Sequence, residues 1–320
     1  MTKYLSLIVI SFFFCLPILW SQQEAQFSQF MHYRQGLNPG FVGSEENVSI
    51  MAMSRNQWLG IEGAPETQLI SVTAPILNQR IGVGGNILRQ SIGVTDFYTL
   101  DGMYSYRLKV PRGFLGVGLQ ASIRLLQSDF TDLRGTQPIA QDEAVPQGIQ
   151  SKFVPNFGVG LYYHSRNFYL GFSIPRLLST NIDLSDDSGV IAKEVTHAYM
   201  MTGTTIKLGE SLSLQPQFLL KYVQGAPFDA DMNLNLLIGD KFSTGVSYRL
   251  GGSIERGIGE AASLLVGIQL SKSMFLGLAY DATLSELRNY SSGTIEGLVR
   301  YRIGAKEEED DAVDNPRFFN

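Results

Sequence analysis

SLSLQPQFLLKYVQGAPFDADMNLNLLIGD, residues 211–240, is the stretch from which the fold follows. From Leu212 to Tyr222 every second residue is apolar or proline (Leu212, Leu214, Pro216, Phe218, Leu220, Tyr222). Ser213, Gln215, Gln217 and Lys221 fill most of the places between. A period of two sends alternate side chains to opposite sides of a pleat, so this run is a strand with one apolar and one polar face. After residues 225–227 the pattern resumes, with Met232, Leu234, Leu236 and Ile238 on one face and Asn233 and Asn235 on the other. The two runs make one long hairpin. Each is about 10 residues, enough to cross a bilayer at a tilt, whereas strands of soluble proteins are typically about half that length.

The rest of the chain repeats this unit. Fourteen strands are expected, over residues 47–58, 65–76, 81–90, 97–110, 113–127, 152–164, 167–175, 194–208, 211–224, 228–238, 241–250, 260–271, 273–283 and 293–303. The joints after even-numbered strands are tight, at 77–80, 111–112, 165–166, 209–210, 239–240 and Lys272. Those after odd-numbered strands are longer, at 59–64, 91–96, 128–151, 176–193, 251–259 and 284–292, and only 225–227 departs from the rule. Short turns on one side and long loops on the other are the habit of outer-membrane barrels, with turns periplasmic, loops outside and an even strand number. A soluble β-sandwich has no reason to sort its connections by parity. The expected fold is therefore all-β, a transmembrane, antiparallel, up-and-down β-barrel of about 14 strands spanning residues 47–303.

Facing follows from the same alternation. In the fifth strand Leu115, Val117, Leu119, Ala121, Ile123 and Leu125 share the lipid side, with Gly116, Gly118, Gln120, Ser122 and Arg124 opposite. In the fourth, Tyr98, Leu100, Tyr104, Tyr106 and Leu108 alternate with Thr99, Asp101, Ser105, Arg107 and Lys109. The polar faces then line the bore. Arg55, Asp101, Arg107, Arg124, Lys221, Arg249, Glu296, Arg300 and Arg302 point inward, where charges of mixed sign offset one another's desolvation.

At the amino terminus Lys3 precedes an apolar run from Leu5 to Trp20, followed by Ser21 and the polar Gln22, Gln23 and Glu24. This order of charge, apolar core and small residue is that of a secretory signal peptide, residues 1–21, with cleavage expected after Ser21. The run is short for a membrane anchor and contains Pro17. Cys15, the sole cysteine, lies inside it, so the exported chain has no thiol for a disulfide framework or a thiolate metal site.

The 25 basic and 30 acidic residues leave a charge of -5, and nothing calls for nucleic acid, which needs a basic surface. Glycine is abundant at 33 residues, as are tyrosine (14) and phenylalanine (19). Glycine suits tight turns and aromatics suit the two membrane interfaces. His32, His164 and His197 lack metal-ligand spacing, no serine sits in a nucleophile elbow, and the glycines of 81–86 lie in a strand rather than before a helix. No catalytic residue, cofactor or small-molecule substrate is expected. A lipid-acting barrel enzyme would need a serine and a histidine brought together at one rim.

Two segments lie outside the strands. Residues 22–46 lack periodicity and are rich in Gln, Gly, Asn and aromatics, and they belong either along the periplasmic rim or in the bore as a plug. A ring of fourteen strands is too wide for side chains alone to fill. Residues 304–320 form an acidic periplasmic tail (Glu307, Glu308, Glu309, Asp310, Asp311, Asp314) ending in Asn315, Pro316, Arg317, Phe318, Phe319 and Asn320. Its aromatic end, at Pro316, Arg317, Phe318 and Phe319, reads as a docking motif. So does the first outer loop with its flanks, Trp58, Leu59, Gly60, Ile61, Gly63, Ala64 and Pro65, which is apolar for an external loop. Trp58 equally suits an interfacial girdle.

Particular motifs resemble a known family. Gln26-Phe27-Ser28-Gln29-Phe30, Leu37-Asn38-Pro39-Gly40-Phe41-Val42-Gly43-Ser44 and Arg55-Asn56-Gln57-Trp58-Leu59-Gly60-Ile61-Glu62-Gly63-Ala64-Pro65 are similar to the opening of the PorP/SprF family. That family comprises outer-membrane proteins of the type IX secretion and gliding-motility machinery of Bacteroidota. The likeness continues through residues 155–163, 171–175, 220–227 and 280–290 and covers essentially the whole exported chain. It implies an accessory barrel in the outer membrane, not an enzyme, that helps export or hold a secreted adhesin through the adhesin's C-terminal domain. Its implied partners are membrane lipid, that adhesin and periplasmic secretion components. The long acidic tail departs from the family pattern. The alternative from the residues themselves is a passive or selective channel.

Overall fold

The computed structural model describes residues 24–131, 148–182, 193–224, 226, 228–239, 241–251 and 259–304. Fourteen antiparallel strands form one ring. They are β1 (Val48–Asn56), β2 (Glu66–Ile76), β3 (Ile81–Ile92), β4 (Thr95–Val110), β5 (Gly113–Asp129), β6 (Ile149–His164) and β7 (Phe168–Ile174). There follow β8 (His197–Thr204, continued by Ile206–Lys207), β9 (Leu212–Val223), β10 (Asp229–Ile238), β11 (Phe242–Arg249), β12 (Ala261–Gln269), β13 (Met274–Thr283) and β14 (Thr294–Ile303). Each strand pairs with the next, and β14 pairs with β1 from Val48↔Ile303 to Asn56↔Ile295, so the ring has no free edge. Such closure is what strands need in hydrocarbon, where an unpaired backbone group finds no water. No helix among the described residues is long and apolar enough to cross a membrane.

The alternation read from the sequence is the alternation of exposure. The hairpin β9–β10 pairs from Leu212↔Ile238 to Lys221↔Asp229, with Met232, Leu234 and Ile238 outside and Gln217, Lys221, Asn233 and Asn235 buried. On β4 the outer residues are Tyr98, Leu100, Tyr104, Tyr106 and Leu108, and Thr99, Asp101, Ser105 and Arg107 are buried. Leu119 and Phe157 each leave more than half of their surface outside, at 56% and 57%, as a lipid-facing residue does.

The sorting of connections is looser than expected. The joint at 91–96 is not a loop, because β3 and β4 run on to Ile92 and Thr95 and turn through Gly93 and Val94. Gly93 makes this possible with φ +58°, a left-handed backbone that costs glycine little. The eighth strand begins at His197 rather than at 194, because Glu194 leaves the ladder to join the charges in the bore. Residues 1–21, expected to be a leader, the tail 305–320 with Pro316, Arg317, Phe318 and Phe319, and parts of the connections after β5, β7 and β11 lie outside the described residues.

Residues 24–46 run through the bore and not along its rim. They form three short turns, Phe30–His32, Arg34–Leu37 and Pro39–Phe41. Phe27, Phe30, Met31, Tyr33 and Phe41 are buried against inward-facing Met51, Met53, Leu69, Met201, Leu219, Leu265, Phe275 and Leu298. The bore is therefore not lined by polar side chains alone, and it holds an apolar core of its own.

Glycine in the wall makes room for this segment. A Cβ on Gly118 would fall 2.2 Å from Gly40 N and Pro39 C, and one on Gly160 would fall 2.1 Å from Asn38 Oδ1. The Asn38 amide donates to the carbonyls of Leu161 (2.9 Å) and Phe172 (3.3 Å), and its oxygen accepts from Gly40 N–H (2.8 Å). The turn at 38–40 thus lies backbone to backbone on β5 and β6. Gly118→Val should expel that turn, exposing residues 24–46 to protease in a barrel that still forms. Gly102→Ala, at a position with nothing within 4 Å of the added carbon, should leave protection unchanged.

Candidate functional site

Three clusters of charge inside the ring grip residues 24–46. The first lies at the β14–β1 seam. Arg55 and Glu296 face each other in register, and Arg55 Nη1 donates to Glu296 Oε2 at 2.9 Å while Nη2 reaches Asp281 Oδ2 at 2.8 Å. The backbone N–H groups of Ser28 and Gln29 donate to the two Glu296 oxygens, each at 2.9 Å. Ser28 Oγ donates to Asp281 at 2.7 Å and accepts from Arg55 at 3.0 Å. Glu296 has no exposed surface (0%), so the segment's own amides supply part of the solvation that water would otherwise give it.

The second cluster binds the segment's start. Glu24 pairs with Arg124 at 3.0 Å and with Arg176, and Arg124 pairs with Glu194 at 2.7 Å. Asn156 also donates to Glu194, at 2.9 Å. Burial alone would raise the Glu24 carboxyl, but Arg124 and Arg176 hold it well below the usual carboxylate range. In the third, Asp231 sits opposite Arg249 in register and bonds it at 2.7 Å. Lys221 joins Asp231 (2.8 Å) to Asp229 (3.0 Å), and Gln26 donates to Asp229 at 3.0 Å.

All nine charges assigned to the bore from the sequence face it, with Arg300 and Arg302 on the same side of β14 as Glu296. Asp281, Asp229 and Asp231 add to them, on the bore-facing side of their strands by the same alternation. Glu24, Ser28, Gln29, Arg176 and Glu194 come from irregular segments that carry no periodic signal.

The loop Trp58–Pro65 is less displayed than its composition suggests. Gly60, Glu62 and Gly63 are exposed, Trp58, Leu59, Ile61 and Ala64 are half-buried, and Pro65 is buried. It is stitched to its neighbours: Leu59 N–H donates to Gly293 O, Ser292 N–H to Leu59 O, and Gly93 N–H to Gly63 O, at 2.8, 2.8 and 2.9 Å. Trp58 is held at φ 51°, a left-handed conformation that is costly for an aromatic residue. The loop begins three residues after Arg55, so one short stretch joins the outer mouth to the seam cluster.

Among the described residues the three histidines hydrogen-bond Arg300 (His32), Arg107 (His164) and the Val195 carbonyl (His197). None of these partners is a serine.

The family described as type IX secretion system membrane protein PorP/SprF matches residues 20–301. The chain belongs to that family. A comparison with curated proteins returned no match. Among solved structures, the CymD monoaromatic hydrocarbon channel is similar at 13% identity, covering 84% of this chain and 92% of that one with a TM-score of 0.50. The Ralstonia pickettii toluene transporter TbuX is similar at 9% identity, with 83% and 91% covered and a TM-score of 0.49. An Acinetobacter baumannii outer membrane protein is similar at 10% identity, with 81% and 99% covered and a TM-score of 0.49. At such identities the CymD likeness shows a shared barrel fold and no shared activity. The family is one of type IX secretion system membrane proteins, and the fold is that of an outer-membrane barrel.

Glu24→Gln should cost about 1.5–3 kcal/mol at pH 7, the worth of hydrogen bonds to charged groups, read as a lower melting midpoint of the heat-modifiable form on gels. Because the native Glu24 carboxyl is depressed, its contribution is complete above the unfolded value of about 4.3. The difference between wild type and variant should hold down to about pH 5, shrink below that, and vanish only in strong acid.

Proposed function

We propose that this chain is an accessory outer-membrane component of the type IX secretion system that binds and anchors, or helps export, a cognate secreted adhesin. The filled bore carries the reading. Residues 24–46 are held there by three ion clusters and an apolar core, an arrangement suited to a fixed scaffold and ill suited to passing solute. Work is then left to the two ends. The outer mouth bears the longer connections, including 130–148, 175–196 and 250–260, and the loop Trp58–Pro65 with its half-buried Trp58, Leu59 and Ile61 offers an apolar contact for the adhesin. At the other end the acidic tail, with Pro316, Arg317, Phe318 and Phe319, is the contact for periplasmic secretion components. Residues 1–21 direct the chain out of the cytoplasm, and family membership supplies the secretion system.

Loss of the protein should leave most exported proteins at normal levels and deplete one surface adhesin, measured by quantitative proteomics of surface and periplasmic fractions. Equal loss of all cargo would make it a core part of the machine. In planar bilayers the purified chain should give no conductance steps. Arg55→Ala, which strands Glu296 and Asp281 without their cation at a cost of about 3–5 kcal/mol, should release the segment and produce them. Steady single-channel steps from the unmodified chain would favour the channel reading.

A further inference from the structure

We propose that a polar cavity at the short-turn rim of the bore binds the C-terminal carboxylate of a peptide arriving from the periplasm. The cavity holds about 220 Å³ and lies between β6, β7, β8, β9, the turn 165–167 and the segment around Arg34. That turn belongs to the short-turn end, which is the periplasmic side of such barrels.

Arg34 is the centre of the site. Its Nη1 donates to Tyr162 Oη at 3.2 Å and its guanidinium lies 4.1 Å from the centroid of the Tyr169 ring. Among the described residues no carboxylate comes within 4.0 Å of it, and its Nε, although buried, has no hydrogen-bond partner. Nε and Nη2 form the edge of guanidinium that accepts both oxygens of a carboxylate in one plane. Arg34 is half-buried, and leaving its buried Nε–H without an acceptor is costly, a cost that an incoming anion removes.

Two further groups point to what the anion is attached to. Tyr169 Oη and Gln217 Oε1 are buried on residues each 8% exposed, both line the cavity, and neither has a partner. The hydroxyl is a donor for a second carboxylate contact. The amide oxygen is an acceptor for an N–H close by. A carboxylate beside an N–H is what a peptide end presents, and inorganic phosphate or a fatty acid lacks the second half. The lining charge suits it, with Arg34 and Arg166 against one carboxylate, Glu45, whose Oε1 is turned toward Arg300 at 4.0 Å. This site is remote from the loop Trp58–Pro65 and stands independently of the adhesin reading.

The test is fluorescence anisotropy on the full purified chain in detergent, with a labelled hexapeptide of sequence Gly-Ser-Ala-Gly-Phe-Ala as probe, which does not occur in this chain, once with a free C-terminal carboxylate and once amidated. The free acid should bind saturably and the amide about tenfold more weakly or not at all. Arg34→Gln should weaken the acid to the level of the amide. Tyr169→Phe, which keeps the ring under Arg34 and removes only the hydroxyl, should weaken it a few-fold while the heat-modifiable gel shift of the barrel is retained. Absence of saturable binding, equal binding of acid and amide, or unchanged binding by a folded Tyr169→Phe barrel would overturn the proposal.

Discussion

A carboxylate with no access to water governs this molecule. Glu296 sits inside a membrane barrel with no exposed surface, where an unpaired ion would cost several kcal/mol even after relaxation. Arg55 across the seam meets one of its oxygens, and the backbone amides of Ser28 and Gln29 meet both. The wall therefore cannot hold its charges comfortably without the segment, and the segment cannot satisfy its amides without the wall. The same reciprocity recurs at Glu24 with Arg124 and Arg176, and at Gln26 with Asp229. Charge and filling are one design, because a water-filled bore would solvate these groups and need neither the segment nor the pairing.

The ring consequently faces two different apolar media. Outside, Leu119, Phe157, Val246 and their neighbours meet lipid, where the gain is solvation by hydrocarbon. Inside, Met51, Met53, Leu69, Met201 and Leu219 meet Phe27, Phe30 and Tyr33, as in the interior of a soluble domain. Methionine is well placed there, since its unbranched thioether fills the irregular gaps between a regular sheet and an irregular chain.

How much of this the sequence disclosed follows from that duality. The strands and their lipid faces were legible because a period of two is imposed by the pleat and repeated on every strand. The inward charges were legible for the same reason, being polar residues at alternate places. Met51 and Met53 were harder to interpret, because an apolar residue on the inner face of β1 looks like noise until something apolar lies against it. The path of residues 24–46 had no periodic signal at all. Its turns answer to Gly118 and Gly160 on distant strands, and the small side of a glycine in a strand does not say what it accommodates. The loop expected at 91–96 is a two-residue turn, since one glycine with a left-handed backbone closes the hairpin there and the alternation does not mark it.

The seam has a further consequence for how such a chain comes into being. The carboxylate that clasps Ser28 and Gln29 belongs to β14, whereas those two residues precede β1. The head of the polypeptide must therefore wait, its amides incompletely satisfied, until nearly the whole sequence has been delivered to the membrane. The pairing that closes the ring and the contacts that hold Ser28 and Gln29 therefore share one strand, and neither is complete before it is in place. A chain stopped short of Glu296 would leave the ring open and Ser28 and Gln29 unclasped, with Glu24 and Gln26 still partnered on other strands.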